Sequence, residues 1–162
     1  MAGAATGPGS PTPRSDAELW ALLTGIPDPE IPVLSITDLG IVRGAALDGD
    51  HARVEITPTY SGCPATSAIT LAIDMTLRGA GLEPDLRIRL DPPWTTDWMT
   101  DTGREKLRRY GIAPPSPAGG PNACPRCGSG DVTRISQFGS TPCKAQWRCD
   151  GCFEPFDYFK CI

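Results

Sequence analysis

The chain has 162 residues, 40% of them apolar, with a net charge of −4 at pH 7 and a sequence pI near 4.9. That length suits one ordinary domain plus a small module. The acidic balance, with neither half basic, argues against a nucleic-acid partner, and no apolar run is long enough to span a bilayer.

Residues 1–14 begin with a small, Pro/Gly-rich run and form an expected disordered tail. The start of the chain has neither the basic stretch nor the apolar segment of a signal peptide, so the cytoplasm is the default location. Ser15 with Glu18 makes a capping box for a short helix through Leu19 and Leu23, ended by Gly25. Pro27, Pro29 and Pro32 then forbid a helix and force an extended loop. Asp28, Glu30 and Asp38 place three carboxylates in this region. Two readings stay open for them: turn and cap chemistry, or the lining of a site.

Two strands follow, Ile41–Leu47 and His51–Thr57, joined through Asp48-Gly49-Asp50, a strong hairpin signal. His51, the only histidine, falls at the hairpin end and is expected at the surface. The second strand runs into Thr57-Pro58-Thr59-Tyr60-Ser61-Gly62-Cys63-Pro64. A helical period then carries Ala65, Ile69 and Ile73 as far as Gly79-Ala80-Gly81. Proline is tolerated at the first helical position, which puts Pro64 there and Cys63 at the N-cap. Unpaired backbone N–H groups and the positive end of the helix dipole both favour a thiolate at that place. Cys63 is therefore the candidate reactive residue.

Leu86–Leu90 alternates as a third strand. A loop with Trp94 and Trp98 follows, read either as a lid over the sheet or as a partner surface. Asp101 or Thr102 caps a last helix that stops at Gly111. The order helix, strand, strand, helix, strand, helix predicts an α+β domain over residues 15–111, with helices packed on one sheet. Residues 112–122, rich in proline and glycine, read as a linker.

Residues 123–162 hold six of the seven cysteines. Cys124-Pro125-Arg126-Cys127 and Cys149-Asp150-Gly151-Cys152 are two Cys-x-x-Cys turns, the spacing of a tetrahedral four-sulfur site. Zinc leads as the occupant and iron is the alternative. So short a segment draws its folding energy from the metal. Cys143 and Cys161 fall outside this set. They are either packed thiols or additional ligands, the latter including a handle for a transferred ion shared with Cys63.

Asp28-Pro29-Glu30-Ile31-Pro32, Thr37-Asp38-Leu39-Gly40 and Thr57 through Pro64 resemble the signature of the iron–sulfur assembly domain shared by SufT and eukaryotic cluster-targeting factors. Pro93-Trp94-Thr95-Thr96-Asp97-Trp98, Tyr110-Gly111-Ile112-Ala113-Pro114-Pro115 and the tail from Cys124 to Lys160 narrow the resemblance. Together they are similar to the PaaD family, small accessory proteins of bacterial phenylacetyl-CoA ring-epoxidase systems. The resemblance implies an assembly-factor domain followed by a zinc-ribbon-like module. It makes Cys63 a reactive or transient metal ligand, with Asp28, Glu30, Asp38 and Thr59 as companions. The implied function is to mature or insert the iron–sulfur or di-iron centre of a phenylacetyl-CoA 1,2-epoxidase in phenylacetate catabolism. Iron or a cluster would be held only in transit. Implied partners are the di-iron subunit or iron–sulfur reductase and the cluster-assembly machinery. The alternative is a structural or coupling subunit of the oxygenase. With one histidine and no phosphate-binding glycine loop, the chain is not expected to be catalytic itself.

Overall fold

The computed structural model describes residues 12–160. Most of the expected tail and Cys161 lie outside them. Helix α1 covers Asp16–Thr24, and the Ser15 hydroxyl accepts the Glu18 N–H at 3.2 Å as the capping box requires. Strands β1 (Val42–Asp48) and β2 (His51–Ile56) form the antiparallel hairpin. Alternation along β2 buries Ala52, Val54 and Ile56 on one face, and His51 is exposed at the hairpin end. Helix α2 (Ala65–Gly79) buries Ala65, Ile69, Ile73 and Leu77, a four-residue stripe, and crosses over to β3 (Glu83–Ile88). β3 pairs parallel with β2, giving the order β1-β2-β3. It starts earlier than the sequence pattern predicts because it is an edge strand, where Pro84 can sit without breaking a ladder bond. Helices α1 and α2 touch each other and pack on the sheet. The α+β, helix-on-sheet expectation holds.

The proline-rich loop is not peripheral. Ile26, Ile31, Leu34, Ile36 and Leu39 are all buried in the main core. The loop folds back on itself through the Asp28 N–H to the Leu34 carbonyl at 2.8 Å and the Ile36 N–H to the Ile26 carbonyl at 3.0 Å. It leaves by Gly40, whose φ of +70° and closeness to Trp98 exclude any side chain. A Cβ there would lie 2.2 Å from the Trp98 carbonyl oxygen.

A short 3₁₀ turn (Thr96–Trp98) leads to α3 (Asp101–Tyr110). Its N-cap is Thr100, whose hydroxyl accepts the Gly103 N–H at 2.9 Å, rather than Asp101 or Thr102. Gly111, at φ +92°, terminates α3 in the left-handed conformation. Of the two readings of the tryptophan loop, Trp94 is a lid. It is buried, donates to the Leu39 carbonyl at 2.8 Å and packs 6.3 Å from the Phe159 ring. Trp98 takes the Arg43 guanidinium over its face at 3.6 Å.

The second sheet has the order β4-β7-β6-β5. Strands β5 (Val132–Ser136), β6 (Lys144–Cys149) and β7 (Pro155–Phe159) form an antiparallel ribbon, in keeping with the ribbon-like module that the resemblance implies. Strand β4 is not: Ile112 and Ala113, inside the expected linker, are buried and pair parallel with Asp157 and Tyr158. A small core of Ala113, Cys124, Ala145, Cys149, Phe156 and Tyr158 fills this module. Cys143 and Phe159 instead join the core of the first domain. No helix among the described residues is long and apolar enough to cross a membrane.

Candidate metal centres

The first centre is the ribbon quartet. Cys124, Cys127, Cys149 and Cys152 place their sulfurs within 4.8 Å of one another, with 3.9 Å between Cys124 and Cys152 and 3.6 Å between Cys127 and Cys149. A tetrahedral ion with bonds of about 2.3 Å needs sulfurs about 3.8 Å apart. The donor set therefore fits a tetrahedral metal. The N–H groups of Cys152 and Gly151 hold the Cys149 thiol down at about 7 despite its desolvation. The Glu154 N–H favours the Cys152 thiolate, yet burial and the other three sulfurs push that thiol up to about 12. Four thiolates at these separations need a cation among them.

The second centre is a cleft in the first domain of about 350 Å³, counted out to its open mouth. Its walls include Asp28, Glu30, Thr59, Cys63 and Cys143 beside the apolar Ile41, Ile69 and Phe159. The centre of a water-sized species has about 20 Å³ to occupy, room for a single water or ion.

Cys63 reaches this cleft from the turn before α2. Its N–H bonds to the Tyr60 carbonyl at 3.2 Å, and its own carbonyl takes the Thr66 N–H at 3.1 Å. The helix begins at Ala65, and Pro64 holds the capping position with helical angles (φ −64°, ψ −24°) and no side-chain cap. Cys63 thus stands one residue outside the expected N-cap, because proline supplies the first helical angles before the hydrogen-bonded turn begins. Cys63 lines the cleft and, as a residue, is 8% exposed.

Asp28 is buried in the proline loop, and one of its carboxylate oxygens accepts the N–H groups of Glu30 (2.9 Å) and Ile31 (2.8 Å). Burial pushes its pKa above the ordinary value, against the pull of those bonds. Glu30, half-buried, is raised by burial and by the Asp28 charge, and Lys144 offsets part of this. Tyr60 lies beside them with its hydroxyl buried and without a hydrogen bond of standard geometry. Burial, then the nearness of Cys63, Glu30 and Cys143, pushes Tyr60 up to about 12. Cys143 is buried, its sulfur 3.1 Å from the Thr141 hydroxyl and 4.0 Å from Glu30 Oε2. Burial raises its thiol; the Thr141 hydroxyl opposes that and Glu30 adds to it. Burial thus disfavours the charged forms of these acids, and an entering cation would favour them.

Asp38 is elsewhere and does not line the cleft. Its Oδ2 accepts the Ser35 N–H at 3.0 Å and Lys106 Nζ at 2.6 Å, tying the proline loop to α3. Desolvation opposes its ionisation, but Lys106 and Ser35 outweigh it and hold its pKa below 3.8. A depressed carboxylate contributes stability that is present above its unfolded pKa and lost as pH falls through the folded value. Lys106 is partly exposed, so Lys106→Met should cost only about 1 kcal/mol at pH 7. The wild-type-minus-variant difference in urea stability should shrink as pH drops below 3.8. Taking the difference cancels Asp28 and Glu30, whose raised pKa values act with the opposite sign. A difference that stays constant with pH would remove Asp38 from the acid limb.

Of the expected residues, the structure brings Cys63, Asp28, Glu30 and Thr59 together and leaves Asp38 out. Cys143, open in sequence between packing and ligation, joins them from the ribbon. No local pattern signals that contact.

Residues 16–85 match the iron–sulfur cluster assembly protein family, and residues 117–160 match the PaaD zinc beta ribbon domain. A protein of Escherichia coli (strain K12), provisionally named as a component of 1,2-phenylacetyl-CoA epoxidase, is 55% identical over 152 residues, covering 90% of this chain and 92% of its own. Among solved structures, a domain of unknown function from Bacillus anthracis, DUF59, shares 25% identity over 57% of this chain and 90% of its own, with a TM-score of 0.48. A Mycobacterium tuberculosis protein associated with iron–sulfur complex assembly and repair shares 34% over 59% and 84%, with a TM-score of 0.36. On the two domain matches and the near full-length relative, the chain belongs to the PaaD family, and it joins a region of the iron–sulfur cluster assembly protein family to a PaaD zinc beta ribbon.

Proposed function

We propose that this protein serves a phenylacetyl-CoA 1,2-epoxidase system as a maturation factor. It takes up iron or an iron–sulfur cluster at Cys63 and passes it to the oxygenase's di-iron subunit or iron–sulfur reductase. The observation that carries this reading is the composition of the Cys63 cleft. The sulfur is accompanied in the cleft by the carboxyl groups of Asp28 and Glu30 and by a second thiol, Cys143, which are metal ligands or proton stores. The only imidazole is exposed on the hairpin, so the base-and-orienter pair of a nucleophilic cysteine enzyme is not built here. A thiolate in a narrow cleft with oxygen donors suits a metal held briefly. The ribbon quartet would hold zinc, which supplies folding energy to a module with a core of only six buried residues.

Cys63→Ser tests the proposal. In cells whose only copy carries it, the purified oxygenase should lose iron and ring-epoxidase activity should fall severalfold. The variant's circular dichroism and ribbon metal should match wild type. Full iron loading and normal activity would overturn the role. Stable association with the oxygenase at fixed stoichiometry, unaffected by Cys63→Ser, would favour a structural or coupling subunit instead.

A further inference from the structure

Cys143 is superfluous to the ribbon. Cys124, Cys127, Cys149 and Cys152 already complete a tetrahedron. Cys143 stands at the end of the loop between β5 and β6, immediately before Lys144, and its side chain is buried against the other domain. Its sulfur lies 4.0 Å from an oxygen of Glu30, 113 positions earlier in the chain, and lines the same cleft as Cys63. The buried Tyr60 hydroxyl sits beside these groups, without a hydrogen bond of standard geometry. Two buried thiols and a half-buried carboxyl group thus line one space with room for one small species, and a cation there would pair with all three.

We infer that Cys63 and Cys143, with Glu30, form a composite site for one divalent transition-metal ion, built across the two modules. This deepens the proposed function, on which it rests, by naming the donors that hold the cargo. Two thiolates and one carboxylate are a borderline-soft set that selects iron, cobalt or zinc over magnesium or calcium. Three protein donors leave a fourth position open, through which a ligand of the receiving protein can draw the ion away. Each thiol releases its proton to solvent on binding, and no electron moves. Asp28 is a positioning residue: the oxygen that accepts the Glu30 and Ile31 N–H groups holds the turn carrying Glu30. Among the described residues, only the ribbon quartet is already gathered within 4.8 Å. Cys143 and Glu30 are already 4.0 Å apart, so the composite site closes on its ion as Cys63 and this pair draw together. Loose donors suit cargo held briefly rather than a permanent ion.

The test uses the full chain, reduced and without oxygen, with the ribbon saturated by zinc, titrated with Co²⁺. Wild type should take up one further cobalt with a sulfur-to-cobalt charge-transfer band. Cys143→Ser and Cys63→Ser should each lower that band by about half per bound cobalt and weaken binding by about tenfold or more. The double variant should abolish the band. Glu30→Gln should weaken binding without changing the band. Absence of a second equivalent in wild type, or an unchanged band in Cys143→Ser, would overturn the site. Ribbon zinc and circular dichroism identify a variant that fails to fold. If Cys143→Ser is one, Glu30→Gln decides, and unchanged affinity overturns the site. The maturation role stands or falls separately, on iron loading of the oxygenase in Cys63→Ser cells.

Discussion

Cys127→Ala is expected to strip the ribbon of its metal and unfold residues 124–160. Structural zinc contributes about 10–16 kcal/mol to comparable four-ligand modules at pH 7. The six buried residues of the ribbon core cannot replace it. Three sulfurs also leave the ion open to solvent and to competing ligands. The damage should reach the first domain, because Cys143 and Phe159 sit in that domain's core. Metal analysis should find no bound zinc, and limited proteolysis should cut between β5 and β7. Retained zinc with unchanged protease resistance would mean that the ligands are other residues.

The second large effect belongs to Trp94→Ala. The indole is buried, contacts Phe159 of β7 and donates to the Leu39 carbonyl at 2.8 Å. Removing it opens a cavity between the modules and leaves that carbonyl unpaired. Buried aromatic truncations of this kind cost about 3–5 kcal/mol. In a chain of this size that corresponds to a melting temperature about 10 °C lower. Trp94→Phe should recover most of the packing but not the hydrogen bond, and so fall between the two. Equal stability of Trp94→Ala and wild type would show that the lid contributes little to holding the halves together.

The contrast between these sites marks what can be read in the chain. The quartet is legible because a Cys-x-x-Cys turn is local, and its chemistry follows from four residues and their spacing. The main elements are legible for a similar reason: Ile69, Ile73 and Leu77 repeat at helical spacing, and Asp48-Gly49-Asp50 announces its hairpin. Three features depend on tertiary contact and leave no periodic trace. Strand β4 is two residues long within a proline-rich stretch, and only pairing with Asp157 and Tyr158 makes it a strand. Asp38 belongs to the same loop as Asp28 and Glu30, but its carboxylate is bonded to Lys106 of α3 and does not line the cleft. Cys143 reaches Glu30 across 113 residues. Cys63 is identifiable from local chemistry, yet it stands one residue from its expected position because Pro64 has helical angles without helical hydrogen bonds.

Strand β4 also bears on how this protein can be divided. A cut after Pro115 would strip β7 of its parallel neighbour and leave a row of free amide and carbonyl groups along an uncovered edge. Such an edge recruits other chains, so the ribbon isolated in this way is expected to self-associate even with its metal bound. Arg104 reinforces the seam, because its guanidinium bonds the carbonyls of Thr96 and Pro115 at 2.7 and 3.0 Å and so clasps both ends of the junction. What looks in composition like a tether behaves as a weld, and the two halves should melt in one transition.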